Sequence, residues 1–259
     1  MRIALGLEYN GADFCGWQSQ PNQQGVQDAL ELAIKMIALH PVRLHAAGRT
    51  DTGVHALMQV AHFETVASRL ITAWVRGVNA YLPAGIRVLW AHEVDEHFHA
   101  RFSATQRSYQ YILINQPQPS AISHQSVGWY HQPLSLEKMQ VAITYLRGEH
   151  DFSAFRASEC QAKSPVKHLS VADVRQVDNY FVFDFSANAF LQHQVRNMVG
   201  ALIYVGSGKQ TPESIQMLLK QADRTKSPPT FSPNGLYLSG VRYSDKWGLP
   251  YTYRQLSFI

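Results

Sequence analysis

The hydrophobic periodicity of the first hundred residues alternates between strand-like and helix-like, and this order constrains the fold most. Alternation in "RIALGLEY" predicts a strand. The next segment, "GVQDALELAIKMIAL", predicts a helix whose apolar face comprises Val26, Leu30, Ala33, Ile34 and Ile37. A strand, a strand, a helix and a strand follow in "VRLHA", "VHALMQVAHFET", "ITAWVRGVNAYL" and "GIRVLWAHEV". The predicted order is β-α-β-β-α-β.

The remainder of the chain repeats this order with longer connections. It begins with a strand in "RSYQYILIN" and a helix capped by Ser135 in "SLEKMQVAITYLRG". A hairpin that turns at Asp178 and Asn179 follows in "HLSVADVRQV" and "NYFVFDFSAN". Two helices, in "FLQHQVRNMVGALIYVGSG" and "TPESIQMLLKQA", and a last strand in "GLYLSGVRY" complete the order. We therefore predict an α+β fold of two similar units, residues 1–104 and 105–259. Each has a mainly antiparallel sheet flanked by helices, and a cleft lies between the units.

Composition excludes several classes of protein. A hydrophobic content of 46% is typical of a globular chain, and no apolar run reaches the length of a membrane span. The first residues, "MRIALGLEYNG", alternate like a strand and do not resemble a secretory signal. Two cysteines, Cys15 and Cys160, are too few for a disulfide framework or a zinc site, which favours the cytoplasm. The net charge of +4 fits a polyanionic partner, and equally a basic protein that binds no nucleic acid.

The glycine-rich loop "AGRTDTGVHA", residues 47–56, has two interpretations. It can be an ordinary turn in which Gly48 and Gly53 supply unusual backbone angles and Asp51 caps the turn. It can also present the Asp51 carboxylate, with Arg49 beside it, to a reactive substrate. Residue types alone do not separate the two.

Two further segments combine positive charge with aromatic or polar residues. "FHARFSATQRSYQY" interleaves arginines with aromatics, which suits phosphate contacts and base stacking but also strand packing. "FRASECQAKSPVK" places Arg156, Lys163 and Lys167 in one loop, for phosphate contacts or simple solvation. The sequence has no zinc-binding spacing, no glycine-rich phosphate loop and no GxSxG elbow, so we predict no metal and no nucleotide cofactor.

Six segments in order carry a family resemblance: "YNGADFCGWQSQP", "AGRTDTGVHA", "FSATQRSYQY", "HDFSAFRA", "CQAKSPVK" and "FLQHQVRNMVG". From about residue 8 to its end the chain resembles tRNA pseudouridine synthases of the TruA type. GRTD followed by GVH is the most specific part of the match. Thr52 stands where alanine is more usual and Asn10 where aspartate is usual, and neither position is assigned to the chemistry.

The resemblance implies an activity and a partner. Such an enzyme isomerises uridine to pseudouridine at positions 38, 39 and 40 of the tRNA anticodon arm, without metal or organic cofactor. It is a cytoplasmic homodimer whose tRNA contacts both subunits, and each half of the subunit is ferredoxin-like.

The resemblance also implies roles for individual residues. Asp51 matches the catalytic aspartate, and Arg49 the arginine that assists base flipping. Tyr109 matches the tyrosine that stacks on the target uracil, and Arg196 the arginine paired with the aspartate. The segments that match tRNA contacts contain Phe98, Arg101, Phe102, Glu159, Cys160, Gln161 and Lys163.

Two other functions compete with this one. A non-enzymatic RNA-binding module could use paired ferredoxin-like units, but the sequence lacks an RNP1-like run and Asp51 would repel phosphate. A glycosidase-like hydrolase could use Asp51, but it normally needs a second carboxylate, which the matched motifs lack. The product separates the three functions: pseudouridine in RNA, unchanged RNA, or free uracil.

Overall fold

A computed structural model describes residues 1–21 and 24–256. The chain forms two compact units, one of residues 1–106 with 237–259 and one of residues 107–236. The chain passes from the first unit to the second between residues 106 and 107. The end of the chain differs from the predicted division, because residues 237–259 group with the first unit and not with the second.

The first unit contains the predicted β-α-β-β-α-β order. Its elements are β1 (Arg2–Tyr9), α1 (Val26–Ala38), β2 (His45–Ala46), β3 (His55–Glu64), a π-helical turn (Ala73–Gly77) leading into α2 (Val78–Tyr81), and β4 (Ile86–Val94). Four residues of the face predicted for α1 are buried, namely Val26, Leu30, Ala33 and Ile34, and the fifth, Ile37, is partly exposed. The Asp28 carboxylate accepts a hydrogen bond from the Gly25 N–H (3.0 Å) and so closes the start of the helix.

The second unit has longer connections and two short additional strands. Its elements are β5 (Gln106–Asn115), β6 (Gly128–Tyr130), α3 (Leu136–Thr144), β7 (Gly148–Asp151), β8 (Val166–Val177), β9 (Tyr180–Ala187), α4 (Gln194–Gly206) and α5 (Ser214–Gln221). The predicted cap of α3 is confirmed, because the Ser135 hydroxyl accepts from the Lys138 N–H (3.2 Å). The predicted hairpin also forms, with Asp178 in the left-handed region (φ 52°) between β8 and β9.

The strand pairs within each unit are mainly antiparallel, so the predicted α+β class is confirmed. In the first unit β1 lies between β4 and β3, antiparallel to both, and β2 pairs with β3. In the second, β5, β9, β8 and β7 are antiparallel neighbours in that order, and β6 pairs in parallel with the end of β5. The last strand, β10 (Leu236–Arg242), pairs in parallel with β3 at Tyr237 and Leu238. This pairing is why the C-terminal residues belong to the first unit.

Candidate functional site

The loop that carries Asp51 runs from β2 to β3 in the first unit. The Val54 N–H donates to the Asp51 carbonyl (3.1 Å), and Gly53 between them has a φ of 78°. The turn therefore requires glycine at this position, as the sequence indicates. Arg49 is exposed and Asp51 is partly exposed, whereas Thr50 between them is buried.

Thr50 anchors this loop to the interior of the unit. Its hydroxyl forms a hydrogen bond with the Tyr9 hydroxyl (2.8 Å), and its carbonyl accepts from the Trp17 N–H (3.0 Å). Burial raises the pKa of Tyr9 to about 12, although its hydrogen bonds to Thr50 and Gln59 act in the opposite direction. Tyr9 therefore stays a neutral phenol at physiological pH. With Thr50 held inward, its two neighbours are left on the accessible side of the loop.

Gln59 holds the start of the same loop. Its side chain is fully buried, and its amide donates to the Gly48 carbonyl (2.7 Å). The Ala47 N–H donates to the Val60 carbonyl (2.8 Å), which ties the same end to β3. The start of the loop is thus fixed by two hydrogen bonds before any substrate binds.

Two glycines of the first motif allow the chain to approach the loop closely. A Cβ on Gly11 would lie 2.0 Å from the Val54 carbonyl oxygen, and one on Gly16 would lie 2.6 Å from that of Thr50. Gly16 also has a φ of +81°. The Gly11 N–H donates to Nδ1 of His55, the first residue of β3 (3.0 Å). The motif "YNGADFCGWQSQP" therefore supports the Asp51 loop, a role that its residue types alone do not indicate.

Tyr109 and Arg196 belong to the second unit. Tyr109 lies on β5 opposite Phe185 of β9, and its ring contacts Phe190 edge-on, with centroids 5.1 Å apart and an interplanar angle of 86°. Arg196 lies in the first turn of α4, where its Nε donates to the Phe231 carbonyl (2.9 Å). Both residues are partly exposed, so each is held by its neighbours and still accessible.

The segment from Phe98 to Phe102 divides into a buried and an exposed part. The Phe98 side chain is 0% exposed and packs against Tyr243 and Trp247, at centroid distances of 5.2 and 5.3 Å. Its assignment as a tRNA contact is therefore wrong, because a side chain inside the core cannot touch RNA. Phe102 is 76% exposed, and the guanidinium carbon of the exposed Arg101 lies 5.6 Å from its ring centre.

Beneath Phe102 lies a cluster of histidines that the sequence argument did not find. His45, His62 and His99 have ring centroids 4.7 to 5.5 Å apart, and the Phe102 ring lies 4.4 Å from His99. Burial, together with repulsion from the other two rings and Arg2, lowers the pKa of His62 to about 3. The three histidines are distant in sequence, so no local pattern indicates them. Within residues 1–21 and 24–256, no group of three or more His, Cys, Asp or Glu side chains is arranged to hold a metal ion.

In the loop of the second unit, residues 159–163, buried and exposed positions also alternate. Glu159, Gln161 and Lys163 are exposed. The Cys160 side chain is buried, and its sulfur accepts a hydrogen bond from the Gln192 N–H (3.4 Å). The Cys160 side chain is therefore part of the packing of this loop, and the expectation that it contacts tRNA is corrected for the same reason as for Phe98.

Arg156 and Lys167 lie under this loop and hold it. The Arg156 guanidinium donates to the carbonyls of Cys160 and Ala162. Lys167 is 9% exposed and donates to the carbonyls of Ser164 (2.5 Å) and Val166 (2.8 Å). Burial lowers the pKa of Lys167. Of the three cations that the sequence places in this loop, only Lys163 is exposed.

Comparison with known proteins identifies the family. The family model described as "tRNA pseudouridine synthase" matches residues 7–103 and 142–244. Proteins named tRNA pseudouridine synthase A are 64% identical over 256 residues in Methylobacillus flagellatus (99% of this chain, 98% of the relative) and 58% identical over 250 residues in Dechloromonas aromatica (96% and 95%). One from Nitrosomonas eutropha is 57% identical over 250 residues (96% and 90%). In the part of the chain that the structure describes, no helix is long and apolar enough to cross a membrane. The matched model spans most of the chain, including the loop of Asp51, and the chain therefore belongs to the tRNA pseudouridine synthase family.

Proposed function

We propose that Asp51 is the catalytic carboxylate of this tRNA pseudouridine synthase, and that its targets are uridines 38, 39 and 40 of the anticodon arm. The enzyme is an isomerase by family. The observation that carries the proposal is the burial of Thr50, bonded to Tyr9 and Trp17, between the accessible Arg49 and Asp51. This anchor keeps the Asp51 carboxylate on the accessible side of the loop, which a group that reacts with a bound substrate requires.

The reaction rearranges bonds within one nucleotide. The N1–C1′ bond of uridine breaks and a C5–C1′ bond forms, while C5 loses a proton and N1 gains one. No electrons enter or leave, so the conversion needs no redox cofactor. The Asp51 carboxylate can attack C1′ of the ribose or C6 of the uracil, or act as a base on the ribose. In each case the detached or twisted base must be held until it rejoins the sugar.

Three other residues are proposed to hold the target. A base must leave its stack before it can react, which costs a few kcal/mol. Arg49, exposed on the same loop, would occupy the position that the base vacates, and Tyr109 would stack on the flipped uracil. The edge contact with Phe190 supports this role, because it fixes the orientation of the Tyr109 ring. Arg196 would pair with the carboxylate.

Exposed groups of both units are proposed to bind the rest of the tRNA. Arg101 and Phe102 in the first unit offer a cation and an aromatic face, and the second unit offers Glu159, Gln161 and Lys163. The TruA-type resemblance supports a homodimer in which tRNA contacts both subunits. The small number of cysteines supports a cytoplasmic location.

The proposal is tested by Asp51→Asn, with Asp95→Asn as the matched control. Asp95 also begins a turn in the first unit, because its carbonyl accepts a hydrogen bond from the Phe98 N–H (3.0 Å). The Asp51 carbonyl accepts a hydrogen bond from the Val54 N–H in the same way. We expect Asp51→Asn to lower the rate of tritium release from C5-labelled uridine in tRNA by about a thousandfold or more, since a reaction step is lost. tRNA affinity should hold or improve because a negative charge is removed. Asp95→Asn should keep its activity.

The outcome separates the competing functions. A folded Asp51→Asn protein with near-normal tritium release would show that the aspartate only shapes the turn. A wild-type protein that binds tRNA and leaves every uridine unchanged would be a binding module. Release of free uracil would identify a hydrolase.

A further inference from the structure

The segment Pro228–Phe231 lies directly against helix α4 in the second unit. A Cβ on Gly200 would lie 2.6 Å from the Pro229 carbonyl oxygen, so this turn of the helix accepts only glycine at that distance. The Phe231 N–H donates to the Arg196 carbonyl (3.3 Å), and the Phe231 carbonyl accepts from the Arg196 Nε (2.9 Å). The position of the Arg196 side chain therefore depends on where this segment lies.

Arg224 fixes the segment to the helix. Its Nη1 donates to the carbonyls of Ser227 and Pro228, both at 3.0 Å. Its Nη2 donates to the side-chain oxygens of Asn197 and Thr230, both at 3.1 Å. One guanidinium thus joins the first turn of α4 to both ends of the segment that holds Arg196.

Asn197 and Thr230 complete the network. The Asn197 side chain is 0% exposed, and its amide nitrogen donates to the Phe155 carbonyl (2.7 Å). The Thr230 hydroxyl donates to Oδ1 of Asn197 (2.7 Å) while it accepts from Arg224. Each polar side chain of the network has a partner, which is the condition under which a buried polar network fixes one arrangement.

We propose that Arg224 is a positioning residue for the reaction, acting through Thr230 and Phe231 on the guanidinium of Arg196. The inference rests on the role of Arg196 proposed above. Arg196 and Asn197 are adjacent in α4, and Thr230 and Phe231 are adjacent in the segment. A shift of the hydrogen bond between Thr230 and Asn197 therefore also moves the Phe231 carbonyl, which accepts the hydrogen bond from the Arg196 side chain. Displacements of about 1 Å at a catalytic group cost on the order of a hundredfold in rate.

The test compares Thr230→Val with Thr230→Ser. Valine keeps the shape and loses the hydroxyl, whereas serine keeps the hydroxyl. The control is Thr225→Val, since the exposed Thr225 hydroxyl bonds only Asp223 among the contacts that the structure describes (2.8 Å). We expect Thr230→Val to lower kcat on C5-tritiated tRNA by about tenfold to a hundredfold with KM within about twofold. Thr230→Ser and Thr225→Val should stay near wild type.

A double-mutant cycle with Arg196→Lys tests the route of the effect. If the network acts through Arg196, Thr230→Val should cause no further loss in the Arg196→Lys background, measured in single turnover with excess enzyme. Full kcat in folded Thr230→Val, or an equal loss in both backgrounds, would overturn the inference. Should Thr230→Val fail to fold, Arg224→Lys replaces it in the same measurements, and the same two results would overturn the inference.

Failure of the inference is distinguishable from failure of the proposed function. A wild-type protein that forms no pseudouridine contradicts the function itself. An Arg196→Lys protein with normal kcat contradicts the role of Arg196 and the inference with it. An impaired Arg196→Lys beside a fully active Thr230→Val contradicts the inference alone.

Discussion

Gly16→Ala is the sharpest test of how the Asp51 loop is supported. The new methyl group would lie 2.6 Å from the Thr50 carbonyl oxygen, 3.0 Å from the carbonyl carbon of Asp51 and 3.1 Å from the Thr52 nitrogen. All three are backbone atoms, so no side chain can rotate away to make room. The substitution therefore presses directly on the peptide that follows the proposed catalytic residue.

The size of the effect follows from these distances. An ordinary contact is at least 3.4 Å, so the loop and the Gly16 backbone must separate by about 0.8 Å. The Gly16 backbone cannot easily move away from the loop, because the Gly16 carbonyl accepts a hydrogen bond from the Val26 N–H (3.0 Å). A positive φ costs alanine about 1 kcal/mol, and the enforced shift adds about 1 to 2 kcal/mol. We expect the free energy of unfolding to fall by about 2 to 3 kcal/mol and kcat to fall about tenfold to a hundredfold.

Gly208→Ala is the matched control. Gly208 has nearly the same backbone angle (φ +76°), but the nearest heavy atom to its new Cβ is Lys138 Nζ at 3.9 Å. It should lose about 1 kcal/mol of stability and no activity. The assay measures urea unfolding, tRNA affinity and tritium release on each protein. Wild-type kcat in folded Gly16→Ala, or an equal loss of kcat in Gly208→Ala, would refute the argument that the first motif supports the loop.

Three further predictions follow from burial and charge. Because burial lowers the pKa of His62 from 6.5 to about 3, the unfolded chain binds one more proton than the folded chain between these values. The free energy of unfolding should therefore fall as the pH is lowered below 6.5, by up to about 1.4 kcal/mol per pH unit. Urea unfolding from pH 7 to 5 should show this slope, reduced in His62→Gln and kept in the exposed His97→Gln. The affinity for tRNA should fall with salt, with a log–log slope of about −0.7 to −0.9 per phosphate neutralised; Lys163→Ala should reduce the slope by about one contact and the buried Lys167→Met should not. Turnover on pre-folded tRNA should survive EDTA, and a loss restored by zinc but not by magnesium would contradict a metal-free site.

The helices and strands of the first unit could be predicted because each depends on local spacing. Apolar residues at intervals of three and four define α1, and alternation defines β1 and β3. The strand "GLYLSGVRY" was also recognisable, but its partner was not. Pairing between β10 and β3 joins residues more than 170 positions apart (Tyr237 with His55) and leaves no trace in either segment.

The candidate site shows the same limit. Residue types drew attention to the Asp51 loop but left an ordinary turn and a catalytic loop as alternatives, and only the family resemblance favoured the second. They could not identify Tyr9, Gly16 or Gln59 as its supports, because these residues reach the loop only after β1 and β3 pair. A tyrosine in an alternating strand looks like any other core residue until its hydroxyl finds a partner.

Phe98 and Phe102 illustrate why the rest depends on distant residues. Four positions apart in one arginine-containing segment, they carry the same local signal for stacking on a base. Phe98 is buried because Tyr243 and Trp247, from the end of the chain, cover it, and the Tyr243 hydroxyl donates to the Ala100 carbonyl (2.6 Å). Phe102 has no such cover and stays exposed.

The C-terminal residues also complete the support of the Asp51 loop. Tyr237 of β10 stacks on His55, at a centroid distance of 4.7 Å and an interplanar angle of 21°, and His55 in turn accepts from Gly11. Arg254 forms an ion pair with Glu8 of β1 (2.9 Å). A fragment that ended near residue 105 would retain every residue of the loop and lose the ring that packs on its last anchor. The geometry of Asp51 therefore depends on both ends of the chain, although the chemistry proposed for it was inferred from ten consecutive residues.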